Sequence, residues 1–366
     1  MNPWIPTELP LTSVDWNWKH LASMAADANR KLAYYDGLLS YLVNPMLLLT
    51  PLERSEAVLS SKLEGTITTV GELLNFEAQI APEDADKLAD IQEVSNYRIA
   101  MQAAVKWIEQ GFRVNSGLIR SIHKDLMQGV RGANKSPGEF RKEQNWIGRP
   151  GAGIEDASFI PPDPSYVEPL IQNLCNYIGQ KHEEALIQVA IFHAQFEIIH
   201  PFLDGNGRTG RILLPLLFWQ KQLIRRPVFY LSQYLEENRQ EYYENLRHIT
   251  AEGNWESWIA FFLRAVSSQA EQNQVKVHLI RTTYEKLRVE LNRVVPSTSN
   301  QVILDFIFEK PIFSTLDFRN GTRLGRQNAY KILSTLKKSG ILRTHVQGSG
   351  RTPEVLRCDA IVSLLT

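Results

Sequence analysis

Between Glu183 and Ile199 the apolar residues return at helical spacing. Leu186, Ala190, Ala194 and Ile198 stand at i, i+4 steps, with Ile187 and Ile191 beside them. The run is too long for a typical strand, so a helix is predicted, ended by His200-Pro201. The same period marks 18–43, 51–63, 87–110, 116–127, 166–180, 239–250 and 255–291, so the chain is expected to be mainly α. At 366 residues it exceeds one ordinary core, and two or three domains are expected.

Two stretches break the pattern. IGRPGAGIEDASFIPPDP, 147–164, is rich in Gly, Pro and Asp and reads as a long loop or short hairpin. VVPSTSN, 294–300, reads as a linker. Beyond it, 297–366 offers helical patterns at 301–308, 314–318 and 324–338, then LRTHV, a GSGRTP turn and EVLRC. Three helices and a two-stranded wing resemble a winged helix-turn-helix. This segment holds ten Lys/Arg against five Asp/Glu, whereas the whole chain is neutral. No overall basic field draws it to nucleic acid or anionic membrane. Cys175 and Cys358 stand far apart and predict neither a disulfide framework nor a zinc site. No signal peptide or membrane-length apolar run is read, so a cytoplasmic protein is expected.

The stretch HPFLDGNGRTGR, 200–211, concentrates the chemistry. Gly205-Asn206-Gly207 can take backbone angles closed to most residues and turn successive N–H groups toward an anion. Ile212-Leu213-Leu214 predicts a helix beginning near Arg208, which adds unpaired donors and a positive dipole end. Arg208 and Arg211 project from its first turn, a package suited to a di- or triphosphate. Asp204 would repel phosphates unless Mg²⁺ lay between, held by one carboxylate and phosphate oxygens. His200 can take a proton from a hydroxyl. Phe202 is expected to anchor the loop in the core. Each feature alone has an ordinary reading, as a cap, a solvated arginine or a turn; twelve residues holding all of them do not.

G-x-G-x-x-G at 205–210 also matches a dinucleotide fingerprint, but that needs a preceding strand and an acid about 20 residues on. The preceding segment has helical period, and the next acid is Glu236. No P-loop sequence occurs. HPFLDGNGRTGR instead resembles the signature of the Fic family, H-x-F-x-D/E-G-N-G-R-x-x-R, at every specified position. The resemblance implies a helical core that moves AMP from ATP to a Ser, Thr or Tyr hydroxyl of a protein substrate. His200 would be the base and Asp204 the Mg²⁺ ligand. Gly205, Asn206 and Gly207 would cradle phosphates, Arg208 and Arg211 would hold the outer ones, and Thr209 and Gly210 complete the nucleotide-binding stretch. Retention of Gly207 favours attack on the α-phosphorus. The 147–164 loop takes the place of the family's β-hairpin flap, with Ile147 and Gly148 as its contact residues. Tyr242 and Tyr243 resemble an aromatic pair placed against adenine.

SSKLEGT, 60–66, ends an earlier helix. Ser60 and Glu64 share a face, and Gly65 stands where a C-cap glycine belongs. Glu64 faces the negative dipole end, at a cost of about 0.3–1 kcal/mol that a cation would remove. The pattern resembles the inhibitory motif S/T-x-x-x-E-G/N of Fic proteins. By that resemblance Glu64 pairs with Arg211 and blocks the γ-phosphate, and Ser60 steadies it.

The expected organisation is a helical region over 1–100 carrying the inhibitory motif, a catalytic domain with following helices over 101–293, and the winged-helix-like module over 297–366. Competing readings are a transcription regulator that binds DNA through 325–338 and Arg351, a toxin-like role, and an enzyme that also removes AMP. A homodimer that modifies itself is compatible with the sequence.

Overall fold

The computed structural model describes residues 3–12, 16–40, 42, 44, 49–130, 135–148, 153–181, 184–296, 298–350 and 352–365. Val43, Glu183, Ser297, Arg351 and the middle of the 147–164 loop lie outside them. The chain is mainly helical. Its helices are α1 (Trp18–Leu39), α2 (Thr50–Leu63), α3 (Val70–Glu77), α4 (Ala85–Glu109), α5 (Ser116–Leu126), α6 (Pro164–Gly179), α7 (Ala185–Ile199), α8 (Asn206–Gln220), α9 (Ser232–Glu237), α10 (Arg239–Glu252) and α11 (Trp255–Val294). There follow α12 (Asn300–Glu309), β1 (Ile312–Ser314), α13 (Thr315–Thr322), α14 (Arg326–Lys338), β2 (Arg343–Val346), β3 (Val355–Arg357) and α15 (Asp359–Val362). None of the described helices is long and apolar enough to cross a membrane.

The chain forms two compact units. One takes Met1–Asp36, Leu59–Thr66 and Gln92–Glu271. Its centre is α7, apolar on every side and buried from Leu186 to Phe196, as expected of a helix packed all round. The helices α6 and α8 pack against it. Two of its buried side-chain amides donate to backbone carbonyls. Gln188 Nε2 donates to the Tyr177 carbonyl at 2.6 Å, and Gln195 Nε2 to the Thr7 carbonyl at 3.0 Å. The Trp258 indole donates to the Ala190 carbonyl at 2.8 Å. These bonds offset the cost of burying amides and fix the height at which α7 ends.

The other unit takes Gly37–Val58, Ile67–Ile91 and Gln272–Thr366. Thr69 and Glu72 form a reciprocal capping box that starts α3. The buried guanidinium of Arg54 bonds both Glu77, at the end of α3, and the Glu309 carbonyl. Phe306, Phe313 and Phe318 pack edge-on and stacked beneath a three-stranded antiparallel sheet of order β1-β3-β2. Phe313 pairs Leu356 and Thr344 pairs Leu356 from the other side, with a register shift between Thr344 and Val346. The three helices and the strand pair read from the sequence are present here. The strand β1 is new; IFS is too short to show a period of two.

Elsewhere the helical patterns correspond to helices whose ends are displaced by a few residues. Two short helices, α3 and α9, are too short to show a period. The 147–164 loop contributes, among the described residues, a single antiparallel bridge between Ile147 and Phe159 and a 3₁₀ turn over Ile154–Asp156.

Candidate active site

The site forms where α7 stops and α8 starts. His200 caps α7 in the left-handed region, at φ 49°, ψ 61°, a conformation that non-glycine residues adopt only when their surroundings impose it. Arg141 is what imposes it. Its backbone N–H donates to the Pro201 carbonyl at 2.9 Å, its Nε to the His200 carbonyl at 2.9 Å, and its Nη2 to the Ile199 and Pro162 carbonyls. A cation thus satisfies the last carbonyls of α7. Burial lowers the Arg141 pKa only to about 10, so it stays charged at neutral pH.

The half-buried His200 ring has its tautomer set by a neighbour. Nδ1 lies 3.2 Å from the Glu197 carbonyl. A carbonyl only accepts, so Nδ1 carries the proton and Nε2 keeps its lone pair. Burial pushes this histidine down to about 4, so the ring is neutral at physiological pH.

The bend that follows is held from within. Asn206 bonds both the N–H and the carbonyl of Phe202, each at 2.8 Å. Phe202, fully buried as expected, stacks on His123 with ring centroids 3.7 Å apart. Gly138 N–H donates to His123 Nδ1 at 2.9 Å, so His123 Nε2 must be the donor to the Asp204 carbonyl, also at 2.9 Å. Gly205 has φ 74°, and a Cβ there would meet Met127 Sδ at 2.9 Å. No L-residue fits that turn without displacement. With Gly205 as N-cap and no side-chain cap, α8 leaves its first N–H groups open.

Asp204 is exposed. Its Oδ1 accepts the Gly205 N–H at 2.6 Å and lies 3.8 Å from Arg208 Nη2. Arg208 is buried and pairs with Glu93 of α4 at 2.9 Å. Arg211 is also buried, and the last turn of α2 wraps it. Its Nε donates to Ser60 Oγ at 2.8 Å, and its Nη2 to the Ser60 carbonyl at 2.8 Å and to Glu64 Oε1 at 2.6 Å. Burial opposes ionisation of Glu64, but the charge and hydrogen bond of Arg211 outweigh it, and the carboxyl lies below its usual range. Glu64 reaches so close to Gly207 that a Cβ there would stand 2.2 Å from Oε1. Gly65, at φ 95°, ends the turn. The carbonyls of Lys62 and Leu63 accept from Arg239, and Lys62 pairs with Glu236 at 3.2 Å.

The structure therefore brings Ser60, Glu64, Gly207 and Arg211 together. It divides the tyrosines: Tyr242 is 1% exposed, with its hydroxyl 3.1 Å from His193 Nε2, whereas Tyr243 is 45% exposed. Ile147 is partly exposed, and its carbonyl accepts from Ser158 and Phe159. Gly148 follows it as the last described residue before 153. Sequence reasoning missed Arg141, His123, Glu93 and Arg239. Each acts through contacts distant in sequence, which leave no periodic trace.

Two family models match the chain. One, described as Fic/DOC family N-terminal, covers residues 22–106, and one described as Fic/DOC family covers 113–218. A relative from Aquifex aeolicus named "Probable protein adenylyltransferase" is 30% identical over 178 residues, 47% of this chain and 50% of the relative. "Protein adenylyltransferase Fic" of Drosophila erecta is 26% identical over 202 residues, 54% of this chain and 37% of the relative. The chain thus spans half or less of the length of these relatives. A crystal structure of a Fic family protein from Desulfovibrio desulfuricans matches 98% of both chains with a TM-score of 0.58 at 19% identity, a likeness of fold.

Proposed function

The chain belongs to the Fic/DOC family, and from that premise we propose that it transfers AMP from ATP to protein hydroxyl groups, its own included, under restraint by Glu64. One observation carries this reading: the loop that leaves His200 Nε2 free to accept a proton leads directly into the uncapped N-terminus of α8. A base and an anion-binding helix end on one short bend are what phosphoryl chemistry at a hydroxyl needs. In the proposed step His200 Nε2 takes the hydroxyl proton. The oxygen bonds to the α-phosphorus, the bond from that phosphorus to the bridging oxygen breaks, and pyrophosphate leaves.

The first N–H groups of α8 and Arg211 hold the outer phosphates once Glu64 withdraws. Arg208, fixed by Glu93, adds positive field from behind. Asp204 suits Mg²⁺: it is a single exposed carboxylate with one oxygen committed to Gly205, and such an ion completes its shell with phosphate oxygens and water. When bound, Mg²⁺ neutralises phosphate charge. Of the two tyrosines, Tyr243 has the accessible ring for adenine, and Tyr242 supports it at a centroid distance of 5.1 Å. Ile147, whose backbone groups are bonded to Ser158 and Phe159, fixes this edge, and the backbone of Gly148 beside it pairs with the target segment.

Mass spectrometry of the purified chain after incubation with Mg²⁺ and isotope-labelled ATP tests the reading. The expected adduct is AMP on a Ser, Thr or Tyr oxygen. A phosphate adduct would replace adenylylation with phosphorylation, and no adduct even from a Glu64→Gly variant would remove the transferase.

A second reading is favoured by one surface. Helix α14 exposes Arg326, Tyr330, Lys331 and Lys338 while burying Ala329, Ile332, Leu333 and Leu336. We read 300–365 as a winged helix-turn-helix with this face available to duplex DNA. Gel retardation of duplex DNA by the full chain should weaken steeply with salt; no retardation at low salt would leave a protein-contact module.

A further inference from the structure

The carboxyl of Glu197 has no part in the chemistry above. It lies on α7, one turn before His200, with its side chain 10% exposed. Its Oε1 is buried without a hydrogen-bond partner among the described residues. The space it occupies exists because residue 210 is glycine: a Cβ there would stand 2.4 Å from Oε1. An orphaned carboxyl oxygen is costly unless something compensates it.

The neighbours are few and can be named. From α7 comes His193, whose Nε2 is 4.0 Å away and engaged with Tyr242. Burial holds His193 down to about 3, so it supplies no charge. From α8 comes Arg211, whose cation favours the carboxylate, and from the end of α2 comes Glu64, whose charge opposes it. From α10 come Tyr242 and Tyr243, both held neutral by burial. Glu64 in turn feels Arg208 and His200. Two carboxyls therefore feel the charge of one guanidinium, and Glu64 has the hydrogen bond to it. Burial raises Glu197 to about 8, so at neutral pH it is mostly protonated while Glu64 is ionised.

We propose that Glu197 is a positioning residue for Arg211: it takes up a proton whenever an anion occupies Arg211, and gives it up to become the counter-ion when none does. The anion is the Glu64 carboxylate in the restrained state and a nucleotide's outer phosphate in the active one. In this way the buried guanidinium is never left uncompensated during the exchange. The inference rests on Arg211 being the phosphate site of the proposed reaction. Its sign follows from linkage. Removing Glu64 removes a repulsion and lowers the Glu197 pKa; binding a phosphate restores it. Between those two values, nucleotide binding takes up a proton, and affinity falls as pH rises.

Two measurements on the full chain test this without relying on transfer. Infrared titration should show a protonated carboxyl at neutral pH that fades through about 8 and is missing in Glu197→Gln. Calorimetry of a non-hydrolysable ATP analogue, in buffers of different ionisation heat, should show Glu64→Gly taking up a fraction of a proton, at most about one, per nucleotide. The double variant Glu64→Gly/Glu197→Gln should take up none. Glu197→Gln mimics the protonated form, so its melting temperature should match the parent's at neutral pH. Absence of the infrared band, or equal proton uptake in the two calorimetric variants, would overturn the proposal. A purely structural Glu197 would shift melting and leave proton uptake equal in the two calorimetric variants, with the same consequence. Loss of all AMP adducts, with both proton readouts as expected, would refute the transferase reading while supporting Glu197.

Discussion

Replacement of His200 by alanine is expected to slow AMP transfer by at least about 10²–10⁴, the range that a positioned general base supplies, with nucleotide affinity nearly unchanged. The expectation comes from the tautomer. The Glu197 carbonyl holds the Nδ1 proton, so the one basic nitrogen is Nε2, at the start of the bend. A depressed histidine is in the right state: with its pKa near 4, the free enzyme carries the neutral ring throughout the physiological range. The acid limb of kcat/KM should therefore lie near that value rather than near 6.5, since activity needs the unprotonated base and is lost as pH falls through its pKa. Alanine brings a second effect, because the position has φ 49°. His200→Asn is the better control, since asparagine tolerates the left-handed region and offers no comparable base. Both variants should bind a nucleotide analogue and fail to transfer AMP, as read by label incorporation. Transfer at the parent rate by His200→Asn would place the base elsewhere.

The parts of this site that the sequence revealed are those that repeat or crowd. The helix α7 was legible because seventeen positions kept one period, and α8 because apolar residues follow the glycine bend. The pairing of Glu64 with Arg211 was legible in a different way, through the resemblance of SSKLEGT to the Fic inhibitory motif. The helix dipole alone said only that a cation near Glu64 would remove a small cost, and named no partner. What spacing could not supply was the scaffolding. Arg141 gathers the carbonyls of 199, 200 and 201 from a loop that has no pattern of its own. His123 reaches Asp204 across eighty-one positions, and Arg239 reaches the end of α2 across more than a hundred and seventy. In sequence these are an ordinary arginine in a loop, an ordinary histidine on an amphipathic helix, and an ordinary arginine at a helix start. Only the fold shows that each is spent on backbone carbonyls. The tyrosine pair illustrates the opposite difficulty: adjacent residues on a helix point about 100° apart, so one entered the core and the other did not.

Replacement of Glu64 by glycine is expected to raise AMP incorporation about a hundredfold, equivalent to about 2.7 kcal/mol of lost restraint. Two unit charges about 4 Å apart attract by about 4 kcal/mol at an effective dielectric of 20. Here the contact is shorter, at 2.6 Å, but the Glu64 side chain is 32% exposed, so solvent screening returns part of the gain. Ser60 adds to the grip by accepting from Arg211 through both its hydroxyl and its carbonyl. Under the proposed function the pair would compete with a nucleotide for the same guanidinium, and Glu64 also fills the approach to Gly207. Removing the carboxylate leaves the Ser60 contacts and clears both obstacles. Glu64→Gln separates charge from bulk, because it keeps the obstruction and loses most of the attraction; it should give an intermediate rise. Ser60→Ala should give a smaller one, since Glu64 still holds Arg211. All three should depend on His200, so that combining Glu64→Gly with His200→Asn returns incorporation to background. The decisive comparison is incorporation by Glu64→Gly and by the parent chain at equal saturation with ATP. Equal rates there would mean that the contact between Glu64 and Arg211 holds the helix end in place and does not govern the reaction.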